Sequence, residues 1–179
     1  MLVSAVEVAA GHWTTEEGTP SERLRTAKPD LAERLLEHGG ESLLEQVADA
    51  IVDSLGATRK FVSFLQGFLP PPPTSRGSPY VHVSWDREDM ARALSTIYRW
   101  RSRALHGGTR FPLPMCEPPY QHADVVWEKP PGHGTAIAGA VWVEKDMPML
   151  LHTFEYIARN SLLKWWDSLP EPDESSRTT

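Results

Sequence analysis

The chain has 179 residues, 40% of them hydrophobic, enough for one compact domain with a core of its own. Its formal net charge of −6 argues against a protein that coats DNA or RNA nonspecifically, which would be basic. The longest apolar runs, such as AIAGAVWV at 136–143, fall well short of the roughly 18–20 residues that span a bilayer, so no membrane partner is expected.

The single cysteine, Cys116, has no partner for an internal disulfide. Histidines and cysteines are not spaced as metal ligands, so neither a metal nor another cofactor is expected. The start of the chain lacks the charged-then-apolar pattern of a secretory signal, and the expected location is cytoplasmic. A chain opening directly on an apolar helix is also what a fragment or a shortened form would show.

In chain order, residues 1–10 read as a helix and 11–29, with Gly18, Pro20 and Pro29, as a loop. Asp30 is the expected N-cap of a short helix that Gly39 and Gly40 stop after His38. Leu44, Val47, Ala48, Ile51 and Leu55 recur at helical spacing. Gly56 marks a break, and 61–69 continues as a strongly apolar helix. Four consecutive prolines in the run 69–79 end it and form an extended connector.

A long helix is expected from about Asp86 to His106, capped by Ser84 or Asp86, with Glu88 and Asp89 favourable near the positive end of its dipole. Residues 107–145 form a long Pro/Gly-rich irregular insertion, with at most a small β-hairpin around 124–127 and 136–143. A last helix runs from about Asp146–Pro148 to Leu169. Pro170 ends it, and 170–179 reads as a disordered acidic tail. The sum is an all-α helical bundle, one domain over 1–169.

One stretch does not fit a plain bundle. In YRWRSRALHGG (98–108), Met90, Leu94, Ile97 and Leu105 all fall within roughly 40° of Arg101, at about 100° per residue. Arg101 is thus centred on the apolar stripe, while Arg99 and Arg103 face the other way. A guanidinium there needs a partner, because it does not lose its proton. Either a carboxylate pairs with it, with Glu7 and Glu155 as candidates, or it opens into a crevice that receives an anion.

His106 lies five positions on, about 140° around the helix. The two glycines after it permit a left-handed cap, so a fraying end would let the ring swing toward Arg101. The helix dipole favours the protonated ring and the nearby arginines oppose it, a balance that suits proton transfer. Between Met90 and Cys116 stand five arginines (Arg92, Arg99, Arg101, Arg103, Arg110) and no acidic residue. A local basic patch on an acidic chain suits an enzyme handling a single phosphate.

RSRALH (101–106) matches the Arg-x-x-x-x-His signature of HEPN domains, and YRWRSRALHGG resembles their Apea-like branch. FEYIARNSLLKWW (154–166) resembles the closing helix of that branch, which extends the likeness over roughly 41–166. Ser102 follows the arginine, as is usual in this branch; many active HEPN ribonucleases have Asn, Asp or His there.

The resemblance implies a HEPN-like helical bundle that acts as a metal-independent endoribonuclease, a toxin or antiviral-defence effector. It also implies a homodimer and an antitoxin or defence-system partner. Arg101, Ser102 and His106 would be the catalytic set: His106 moves the proton of the RNA 2′-OH or of the leaving 5′-oxygen, Arg101 holds the phosphate, and Ser102 bonds the phosphate or orients the ring. Arg99, Arg103 and Arg110 would bind flanking phosphates.

Two alternatives stay open. One is a catalytically inactive HEPN module binding RNA, a nucleotide or a protein partner. The other is a plain helical interaction domain in which Arg101 makes an internal ion pair. Trp165 and Trp166 read as packing residues, His122, His133 and His152 as structural or surface groups, and Arg159 as a further residue that could face the site. Cys116 has no evident base nearby.

Overall fold

The computed structural model describes residues 2–13, 18–52, 55–76, 78–119, 121–122, 125–137 and 139–170. Among these, seven α-helices dominate: α1 (Leu2–Trp13), α2 (Pro20–Ala27), α3 (Pro29–Ile51), α4 (Ala57–Gly67), α5 (Arg87–Gly107), α6 (Leu113–Cys116) and α7 (Leu151–Asp167). The chain is mostly helical, with only small β elements, as its periodicity predicts.

Helices α1, α4, α5 and α7 enclose the main core. Val6, Phe61, Phe64, Met90, Leu94 and Ile157 are fully buried there. Phe64 also meets Trp165 edge to face, with ring centroids 5.8 Å apart, so Trp165 is a packing residue, while Trp166 is exposed. A second, smaller cluster of Leu24, Ala32, Leu44, Ala48 and Leu55 holds α2 against α3 as a helical hairpin beside the bundle.

That hairpin corrects two expectations. Residues 20–27 form a helix rather than a loop. Pro20 opens it at N1, where its missing N–H costs nothing, and Thr19 and Glu22 make a reciprocal capping box. Asp30 is not a cap: Lys28 takes that position and Pro29 is N1 of α3. Gly40, at φ 64° and ψ −163°, is non-helical and divides α3 where the two glycines are expected to stop a helix, and a second helical stretch runs on to Ile51. Gly56 does break the chain, at φ 76°, and caps α4.

Helix α5 forms as expected. Asp86 caps it by accepting from the N–H groups of Glu88 and Asp89, at 2.9 and 3.2 Å. Gly107 stays helical and Gly108, at φ 63°, is the left-handed C-cap.

The 107–145 insertion contains two separate ladders instead of one hairpin: β1 (Gln121–His122) with β2 (Val125–Val126), and β3 (Gly134–Ile137) with β4 (Ala140–Val143). Gly139 at φ 80° turns the second one tightly, so 136–143 pairs with its own neighbours and not with 124–127. A 3₁₀ turn over Glu144–Asp146 delays the last helix to Leu151. The acidic tail from 171 onward lies outside the described residues.

A buried carboxylate ties these irregular parts together. Glu128 accepts from Arg76 Nε at 2.6 Å and Nη2 at 2.5 Å, and from the Val83 N–H at 2.8 Å. Its carbonyl accepts from the Leu150 N–H and the Thr153 hydroxyl, both at 2.9 Å. Arg76 also lies over the Trp85 ring, 5.0 Å from its centroid. The proline-rich connector, the insertion and the start of α7 therefore meet at one ion pair. No helix among the described residues is long and apolar enough to cross a membrane.

Candidate functional site

Along α5, Met90, Leu94 and Ile97 are buried as the apolar stripe requires. The stripe ends at Arg101; Leu105, one turn later, is 63% exposed. The last turns of α5, beyond Trp100, therefore run out from under the bundle, and Arg101 stands where core gives way to solvent.

Arg101 is paired, and Glu7 of α1 is the partner. Arg101 Nη2 donates to Glu7 Oε2 at 2.5 Å, while the Tyr98 hydroxyl donates to Oε1 at 2.8 Å. Glu155, the other candidate, is exposed on α7. The Arg101 guanidinium also lies 5.8 Å from the centroid of the Tyr98 ring. Burial, followed by the hydrogen bond to Glu7, pushes the Tyr98 hydroxyl up to about 12.

This pair is not sealed. Both side chains are 23% exposed, and both line an open cavity of about 830 Å³ that Ser102 and His106 line as well. Arg101 Nε is buried with no acceptor, so the guanidinium is incompletely satisfied.

The cavity brings the three expected catalytic residues together by a route different from fraying. Tyr98, Ser102 and His106 are spaced by four and stack along one face, with Arg101 flanking them. The helix stays intact through His106, and the cavity is wide enough to take in the whole strip. The exposed ring makes no hydrogen bond to another described residue.

The same cavity is also lined by residues that the reading of α5 did not place there: Lys28 between α2 and α3, Leu31 and Ile51 of α3, Leu55, and Arg59 of α4. The α2–α3 hairpin and the Gly56 turn position them. With no helix read over 20–27, no sequence signal brought Lys28 near Arg101. A TPSE string with Pro at N1 and Glu at N3 could have revealed the helix that carries it there.

The expected phosphate-binding arginines do not line this cavity. Arg99 and Arg103 face a separate groove of about 610 Å³, with Lys145 beside them. Arg99 donates to the Thr96 hydroxyl at 3.2 Å, and Arg103 lies over Trp100, 5.1 Å from its centroid. Arg110 is exposed beyond the C-cap, and Arg159 is exposed on α7, away from the cavity.

His133 is held by Glu144 at 3.3 Å, and burial pulls the half-buried His152 ring below the usual histidine range. The side chain of His122 lies outside the described part of the chain. Among the described residues no three His, Cys, Asp or Glu side chains group as a metal site. The chain finds no match among models of known protein families, among curated proteins, or among solved structures.

Proposed function

We propose that the protein is an endoribonuclease of HEPN type, with Arg101, Ser102 and His106 as its catalytic set. The observation that carries this reading is the shared, solvent-open cavity lined by all three, in a helix whose apolar stripe an arginine interrupts. The attacking group would be the substrate's own 2′-OH. His106 takes its proton, the new 2′-O–P bond forms as the bond to the 5′-oxygen breaks, and the leaving oxygen receives a proton. Arg101 offsets charge on the five-coordinate phosphorus. The products are a 2′,3′-cyclic phosphate and a 5′-OH.

A homodimer would supply a second histidine, one acting as base and the other as acid. A role as toxin or defence effector, with an antitoxin or defence-system partner, belongs to the same proposal, as does a cytoplasmic location. Arg99, Arg103 and Arg110 would then hold RNA outside the cleft.

One observation favours the second reading, a catalytically inactive module that binds RNA, a nucleotide or a protein. Glu7 occupies the guanidinium that the phosphate would need. Cleavage of total RNA on a denaturing gel, with and without EDTA, separates the two. Wild type is expected to cleave, and His106→Ala and Arg101→Ala to lose cleavage while keeping helical circular dichroism. RNA binding without cleavage by wild type would support the inactive module.

A further inference from the structure

The cavity holds more positive charge than the catalytic set needs. Among the described residues that line it, Lys28, Arg59 and Arg101 stand against one carboxylate, Glu7, a balance of +2 for those residues in a protein whose net charge is −6. Glu7 already engages Arg101, yet neither Lys28 nor Arg59 makes an ion pair among the described residues. Like charges gathered at one opening are costly unless something anionic joins them. Leu31, Ile51 and Leu55 line the same cavity and supply apolar surface. A cavity with cations at its rim and an apolar wall fits a ligand that is itself anionic and flat-faced, with phosphates joined to a base.

We infer that Lys28 and Arg59 form a second phosphate seat facing Arg101, so that the cavity takes two successive phosphates of single-stranded RNA, with the base between them against Leu31, Ile51 and Leu55. This rests on the ribonucleolytic reading for the identity of the polymer. It assigns the second phosphate within the cavity to the α2–α3 hairpin and the start of α4, while the Arg99–Arg103 groove would hold RNA outside the cleft. Single strands suit such a site because their bases splay away from the backbone.

The test is fluorescence anisotropy with a short 2′-O-methyl oligonucleotide, whose blocked 2′-oxygen cannot attack, titrated at several salt concentrations. Each phosphate contact on a single strand contributes about 0.7 to the slope of log affinity against log salt. Lys28→Ala/Arg59→Ala is therefore expected to flatten that slope by about 1.4 and to weaken binding at least tenfold at low salt. Lys28→Arg/Arg59→Lys should restore both, and an abasic oligonucleotide should bind wild type more weakly. The Arg87→Ala/Arg159→Ala pair, two exposed arginines that do not line the cavity, serves as the control for net charge.

An unchanged slope in Lys28→Ala/Arg59→Ala overturns the seat, as does an equal loss in the control pair or no binding by wild type. Cleavage is scored separately on unmodified RNA. Cleavage that needs His106, with an unmoved slope, removes the seat and keeps the nuclease. A flattened slope without any cleavage keeps the seat and removes the nuclease.

Discussion

Replacing Glu7 separates an arginine held for packing from an arginine held for a ligand. Glu7→Ala removes the acceptor of both Arg101 and Tyr98. A fully exposed pair would contribute about 0.2–1 kcal/mol, and breaking a fully buried one would cost about 3–5 kcal/mol. With both side chains 23% exposed and open to a cavity, water can rehydrate Arg101. The expected loss is therefore intermediate, about 2 kcal/mol, or roughly 4–8 °C in Tm for a chain of this size. Glu7→Gln keeps an acceptor for Tyr98 and should lose about half as much.

The two accounts diverge on binding. If a phosphate must displace Glu7 from Arg101, neutralising the carboxylate removes a competitor whose net worth is about 1 kcal/mol, and the oligonucleotide should bind about fivefold more tightly. Differential scanning fluorimetry and anisotropy on the same Glu7→Gln sample measure both effects. A lowered Tm with unchanged or weakened binding would refute the argument and make the pair a stability device alone.

Glu128→Gln is expected to be the more damaging change. The Glu128 side chain is only 5% exposed and its loss leaves Arg76 charged beneath Trp85, so about 3–5 kcal/mol should go, on the order of 10 °C in Tm. A fall below about 1 kcal/mol in chemical denaturation would mean that Glu128 does not organise the insertion. Tyr98 gives a prediction in alkali. Its folded-state value of about 12 lies above the ordinary 10, so its contribution to stability is complete below pH 10 and is lost as pH rises toward 12. The phenolate absorbance difference between wild type and Tyr98→Phe should develop only in that upper range. Glu7→Gln should bring the transition down, though not all the way, because burial remains.

The parts of the fold legible in the sequence are those where local chemistry and tertiary packing ask for the same thing. Asp86 followed by Glu88, Asp89 and an apolar period specifies α5, and the structure gives it those limits within a residue. Gly56 and Gly108 stand where the backbone needs positive φ, the first as the N-cap of α4 and the second as the C-cap of α5. Proline was the ambiguous signal. Pro20 and Pro29 look like loop markers, yet each sits at N1, the one helical position that loses no hydrogen bond to it. Gly40 is legible by contrast: it takes non-helical angles where the first stretch of α3 is expected to stop. The Arg76–Glu128 pair was not legible: 52 residues separate the partners, and no period connects a connector to an insertion.

The candidate site follows the same division. Periodicity along one helix is enough to find an arginine out of place at 101, and enough to offer Glu7 as its partner. It reports nothing about what stands across the gap, because that depends on how α2 folds back on α3. The charge balance makes the missing half important. A lone arginine neutralised by one glutamate needs no ligand, and such a pair is an ordinary way to end an apolar stripe. Lys28 and Arg59 change the sum, since they bring two further cations to the same opening and, among the described residues, no further carboxylate. Confined to packing, that arrangement would be destabilising, because none of the described acidic residues of the hairpin lines the cavity. An anion entering the cavity relieves it, and it does so in the place where His106 stands exposed with no hydrogen-bond partner among the described residues.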